Sequence, residues 1–176
     1  MTGKRGFTLI ELIVAIAISS IIIIPITAML VALNTSFSNS ERLSTAQTYT
    51  NMAMDIVKRE LSAATSASLS NDLNTTIGKK YLYTSGGIIY LRTVTDTATD
   101  ERQILRKPDL NNLHMKCNLS FESNGGKAVS VTVTILDKTS EAVIFKLSSN
   151  VYMQNTPYGI TVAVSPGSVV EYKLPA

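Results

Sequence analysis

The sequence predicts an α+β fold, with one long N-terminal helix packed on a C-terminal antiparallel β-sheet. Three observations lead there. Residues 7–33 form an apolar run holding a single ionisable side chain, Glu11. Residues 43–64 then place Leu43, Ala46, Thr50, Ala53, Val57, Leu61 and Ala64 at steps of three or four, the spacing of one helical face. From residue 80 onward the period changes to two, and glycine pairs separate the runs.

The apolar run comes first in the chain. Its 27 residues contain no Lys, Arg, Asp or His. About 20 such residues span a bilayer as a helix, and the helical form satisfies every backbone N–H and C=O within the segment. An ordinary secretory signal is cut after its apolar core. Here a short basic leader, Lys4-Arg5, ends at Gly6, ahead of the core. A cut there retains the run as an anchor, with the leader cytoplasmic and the bulk of the chain outside by the positive-inside rule. Pro25 lies within the run, where proline removes one helical hydrogen bond and predicts a kink.

Glu11 is out of place in such a run. A carboxylate near the hydrocarbon costs about 2.5–3.5 kcal/mol on insertion scales, so it needs a partner. Cutting after Gly6 creates one, the free ammonium of Phe7. Within one helix the two groups lie about one turn apart. Between staggered helices the amine of one meets the carboxylate of the other. At about 4 Å and an effective dielectric of about 20, the attraction is about 4 kcal/mol before desolvation. Such a pair fixes the register of one subunit against the next.

Lys4-Arg5-Gly6-Phe7-Thr8-Leu9-Ile10-Glu11, with the apolar run behind it, resembles the processing and assembly motif of type IV pilins and type II secretion pseudopilins. The resemblance implies that prepilin peptidase cuts between Gly6 and Phe7 and methylates the Phe7 amine. It implies that Glu11 pairs with the N-terminus of a neighbouring subunit. The partners it implies are prepilin peptidase, other pilin or pseudopilin subunits, the inner-membrane assembly platform and membrane lipid. Many pilins have a helix-breaking proline a few residues later than Pro25, and many close a C-terminal disulfide loop. This chain has one cysteine, Cys117, and forms no internal disulfide.

Past residue 33, Asn34–Ser40 is polar, but helical periodicity resumes directly, so the helix is expected to continue. From Thr8 to Ala64 it is about 85 Å long at about 1.5 Å per residue. Its second half is amphipathic, with Met54 and Ile56 widening the apolar face and Glu41, Arg42, Asp55, Lys58 and Arg59 mostly off it. The phrases Glu41-Arg42-Leu43 and Met54–Leu61 are similar to J-type minor pseudopilins and related minor pilins. Ser66–Lys80 is rich in Ser, Asn and Thr and reads as a loop. Lys80–Thr84 and Gly87–Thr93 flank Ser85-Gly86-Gly87 as a hairpin, and Thr93–Glu101 reads as a polar loop. Arg102–Lys107 is a short strand stopped by Pro108. Met115–Glu122 and Lys127–Asp137 flank the turn Ser123-Asn124-Gly125-Gly126. Glu141–Met153 follows with Val143, Phe145 and Leu147 in phase, and the tail offers one more strand-like piece, Ile160–Val164. The boundaries are a leader at 1–6, a membrane and assembly half of the helix at 7–33, an amphipathic half at 34–65 and a sheet domain at 66–176.

Composition removes several functions. The formal charge is +3, and losing Lys4 and Arg5 leaves 14 basic against 13 acidic residues. No basic patch interleaved with aromatics points to nucleic acid. His114 and Cys117 are spaced like half a zinc site, but the chain has no second His or Cys. As a nucleophile–base pair the same two residues, three apart on a strand, face opposite sides. Asp96, Asp100 and Glu101 lack the spacing and central glycine of a calcium loop and read as a solvated acidic stretch. Tyr81, Tyr83 and Tyr90 read as sheet residues. No enzyme, cofactor or metal site is expected. The sequence predicts a minor pilin or pseudopilin, a structural subunit of a pilus or of a secretion or DNA-uptake filament. The alternative is a single-pass anchored binding domain that never polymerises.

Overall fold

A computed structural model describes residues 8–73, 76–105, 110, 112–157, 159–162 and 166–175. Helix α1 runs over Leu9–Ser62 through both Pro25 and the polar stretch at 34–40. The chain divides into two compact units, Met1–Glu41 and Arg42–Ala176. The first is bare helix among the described residues, with none of its side chains buried.

In the second unit, Ala46, Tyr49, Thr50, Ala53, Met54, Val57 and Leu61 of α1 are buried. This is the predicted face with one correction: Leu43 stays 42% exposed. It precedes the first turn that packs on the core, which begins at Ala46.

Among the described residues, nine strands make two sheets. β1 (Ser66–Ser70), β2 (Lys80–Ser85), β3 (Ile88–Val94), β4 (Thr99–Gln103), β8 (Ile160–Val162) and β9 (Val169–Lys173) form a six-stranded sheet ordered β4-β3-β2-β9-β1-β8. All its pairs are antiparallel except β1–β8. β5 (Met115–Ser123), β6 (Ala128–Asp137) and β7 (Val143–Tyr152) form an antiparallel sheet of their own. One apolar core joins α1 to both sheets, through Leu69, Leu82, Leu91, Phe121, Val131 and Val170 among others.

The hairpins β2–β3 and β5–β6 form where expected. Four readings are corrected. Ser66–Ser70 is strand β1, inside the stretch read as a loop. Its alternate side chains Ala67 and Leu69 are buried, but Ala and Ser carry little strand propensity. Strand β4 begins at Thr99, three residues ahead of the expected Arg102, and the expected end at Lys107 and Pro108 lies outside the described residues. β9, read as tail, lies at the centre of the larger sheet between β2 and β1. Val143 is not in phase with Phe145: the register shifts at Ile135/Leu136, pairing Val143 with Leu136 and leaving it 59% exposed. An extra residue of this kind turns the following side chains to the other face.

The two sheets meet at glycines. In the β2–β3 turn Gly86 and Gly87 have φ of 57° and 78°, the left-handed values a two-residue hairpin needs. Gly87 O accepts from Cys117 N at 3.0 Å, so the turn sits on β5. A Cβ on Gly87 would lie 2.7 Å from the Lys116 Cβ. Polar side chains fasten α1 to the sheets. Glu60 Oε2 accepts from the Tyr172 hydroxyl at 2.8 Å and from Lys80 Nζ at 3.5 Å. Arg42 Nη2 donates to Asp137 Oδ2 at 2.5 Å.

Candidate functional site

Helix α1 starts with a reciprocal cap. Glu11 N donates to Thr8 Oγ1 at 3.4 Å, and Glu11 Oε2 accepts from both Thr8 N and Thr8 Oγ1 at 2.8 Å. This is the capping box, in which a Thr before the helix and a Glu three residues on satisfy each other's backbone donors. The signal Thr-x-x-Glu stands in the sequence at residues 8–11. Reading the motif for Glu11 alone overlooked Thr8 as its positioning partner.

The rest of the apolar run leaves no side-chain hydroxyl unpaired. Ser19 Oγ donates to Ala15 O at 2.7 Å, Ser20 Oγ to Ala17 O at 2.8 Å, and Thr27 Oγ1 to Ile24 O at 2.8 Å. Thr35 Oγ1, just beyond the run, donates to Val31 O at 2.9 Å. Folding hydroxyls back onto the helix's own carbonyls is how such residues are tolerated in lipid. Pro25 has no N–H to give the Ile21 carbonyl, yet α1 continues through it.

Glu11 therefore differs from every other polar side chain in the run. Both Thr8 donors fall on Oε2, and among the described residues Oε1 takes no hydrogen bond. It sits among exposed apolar neighbours, Ile10, Val14 and Ile18. Gly6 and Phe7, the expected cleavage site, lie outside the described residues. α1 carries a stretch long and apolar enough to cross a membrane.

The other candidate residues do not converge on a site. Cys117 is buried on β5, and burial pushes its thiol up to about 12. His114 is exposed in the turn before β5 with φ 52°, apart from it. Among the described residues no group of three or more His, Cys, Asp or Glu could hold a metal ion. Asp96 is exposed beyond β3, and Asp100 and Glu101 lie on β4. Glu101 Oε2 accepts from Arg92 Nε at 2.9 Å, and that guanidinium holds the carboxyl below its ordinary range. Arg92 also lies 5.4 Å from the centroid of Tyr83, which stacks on Tyr90 with centroids 5.7 Å apart. Burial pushes the Tyr83 hydroxyl up to about 12. Tyr81 and Tyr83 are buried sheet residues, as read.

Comparison with known proteins bears on both regions. Residues 1–27 match the model of the prokaryotic N-terminal methylation motif. No curated protein sequence matches the chain. Among solved structures, the fold is similar to that of the PilB minor pilin from Streptococcus sanguinis, at 17% identity and a TM-score of 0.60, over 77% of this chain and 35% of that one. It is similar as well to the D319A mutant of that minor pilin, at 16% identity and a TM-score of 0.54, over 74% of this chain and 34% of that one. The chain thus spans about a third of the length of the structures it matches. The chain thus carries a prokaryotic N-terminal methylation motif at the start of a helix-and-sheet fold similar to that of a minor pilin.

Proposed function

We propose that the chain is a non-enzymatic filament subunit of minor pilin or pseudopilin type. Prepilin peptidase cuts it between Gly6 and Phe7 and methylates the new amine. The apolar half of α1 holds it in the cytoplasmic membrane, with the sheet domain outside, until the assembly platform draws it into a filament. Helix packing supplies the contact area, and a kink at Pro25 lets the helix adjust. Glu11 sets the register by receiving the Phe7 amine of a neighbour.

The observation that carries this reading is the state of Glu11. Thr8 holds one oxygen, which orients the carboxylate, and among the described residues the other takes no hydrogen bond beside its exposed apolar neighbours. A carboxylate kept at that depth with an acceptor unused is placed to receive a cation, and the amine made by processing is the nearest in sequence.

Mass spectrometry of filament-extracted protein is expected to find chains beginning at methylated Phe7. Gly6→Ala should leave the leader attached. Glu11→Ala should be cut normally yet fail to enter filaments efficiently. Working protein that still carries Met1–Gly6 would sink the proposal, and so would normal function with neither change having effect, as expected of a plain anchor.

A further inference from the structure

The geometry points to strand β7 as an interface between two copies of this chain, joined edge to edge about a two-fold axis. It uses the second unit alone, so it holds for a filament subunit and for a plain anchor alike. Among the described residues the two sheets have four edges, and three are guarded. β4 is exposed throughout and carries Asp100, Glu101 and Arg102. β8 is three residues long. On β5, Cys117 N donates to Gly87 O at 3.0 Å, and Phe121 and Gly167 exchange two backbone bonds of 2.8 Å. Charge, brevity and cover are how proteins keep a sheet edge from pairing. β7 is ten residues long, without proline, and carries one charge, Lys146.

The open edge is complementary to itself. Met153 N donates to Lys127 O at 3.0 Å, so along this ladder the odd-numbered residues turn their backbone groups to β6. Those of Lys146, Ser148, Asn150 and Tyr152 point to the open side. This set is symmetric about Ser149. In antiparallel pairing centred there, Lys146 faces Tyr152 of the copy and Ser148 faces Asn150, so all four residues of each strand find partners. A centre at Ser148 sets Tyr152 against Ile144 in the irregular part of β7, and a centre at Asn150 sets Lys146 beyond the end of the strand. The side chains agree with the Ser149 centre. Tyr152 is 68% exposed and Lys146 is exposed as well, and an ammonium over a tyrosine ring is attracted to it. The two lysines stand about 20 Å apart at about 3.4 Å per residue, past a screening length of about 10 Å. On the other face, half-buried Leu147 gains cover from Val151 of the copy. Such a contact closes on itself, so it makes a pair and builds no fibre.

The test expresses cysteine variants of the full-length chain in the native cells and oxidises their membranes. Ser149→Cys is expected to give disulfide-linked dimers, because the two central residues sit about 4.5 Å apart as a non-hydrogen-bonded pair. The native chain, whose Cys117 is buried, should give roughly tenfold less. So should Ser148→Cys, which lies two residues out of line with its own copy. Lys146→Cys and Tyr152→Cys together should give dimers that neither change gives alone, and nothing larger, since both links fall within one pair. Both positions are exposed, so this variant decides the question if Ser149→Cys fails to fold. Absence of dimer from the exposed pair or from folded Ser149→Cys overturns the interface. So does equal dimer from Ser148→Cys, a linked species above the dimer, or linkage to a different protein. The readout is taken on membranes, so failure of the filament reading leaves this result standing.

Discussion

Residues 9–41 of α1 are helical without burying a side chain, whereas residues 42–62 bury one full face. The first stretch supplies its own satisfaction: a capping box at the start, and hydroxyls turned onto neighbouring carbonyls. The second is held by what it touches. Ala46, Ala53, Val57 and Leu61 enter the core, and Arg42 and Glu60 are tied to Asp137 and Tyr172. One backbone form thus has two causes. An apolar helix in lipid keeps its hydrogen bonds because nothing else is there to take them. An amphipathic helix in water keeps them because packing removes the alternative.

Core substitutions give the largest effects and strain the contrast most. Phe121 is fully buried on β5, and Phe121→Ala is expected to destabilise the second unit by about 3–5 kcal/mol. Amide exchange should speed up at residues 42–62 and stay unchanged at residues 9–41 of detergent-held protein. Exchange rising equally along all of α1 would show one cooperative helix and break the comparison. Gly87→Ala comes next. It meets a left-handed φ of 78° and a Cβ only 2.7 Å away, a strain of about 1–3 kcal/mol. The expected result is a lower melting midpoint with amide exchange at residues 9–41 unaffected.

Much of this contrast could be read from the residues alone. The apolar run, the helical steps from Ala46 to Ala64 and the alternation along β5 and β6 carry their burial in their spacing. Glu11 was conspicuous because a charge in an apolar run has few explanations. Strands β1 and β9 were not legible, for opposite reasons. Ser-Ala-Ser-Leu-Ser has the alternation but side chains too small to announce it. Val169-Val170-Glu171-Tyr172-Lys173 has the propensity but follows Pro166 and Gly167, which read as tail. A central strand is defined by its two neighbours, and both pairings of β9 join residues far apart in sequence.

The smallest expected effect sits where the docked part of α1 begins. Asp137 Oδ1 accepts from Thr139 N and Ser140 N at 2.9 Å, while Oδ2 takes Arg42. The Ser140 N–H first, then the Arg42 guanidinium and the Thr139 N–H, hold its carboxyl well below the usual carboxylate range. A carboxyl depressed in the folded state binds protons more readily once unfolded. Its stabilisation is therefore complete above the ordinary value of about 4 and is lost as pH falls below it toward the folded value. Asp137→Asn should lower the melting midpoint at pH 7, and the gap from the native chain should shrink steadily below about pH 4. It should also speed exchange at residues 42–45, which precede the first buried side chain, Ala46. A gap that holds constant down to pH 2 would mean that the turn is held by its shape. Residues 42–45 would then belong with the self-supporting part of the helix.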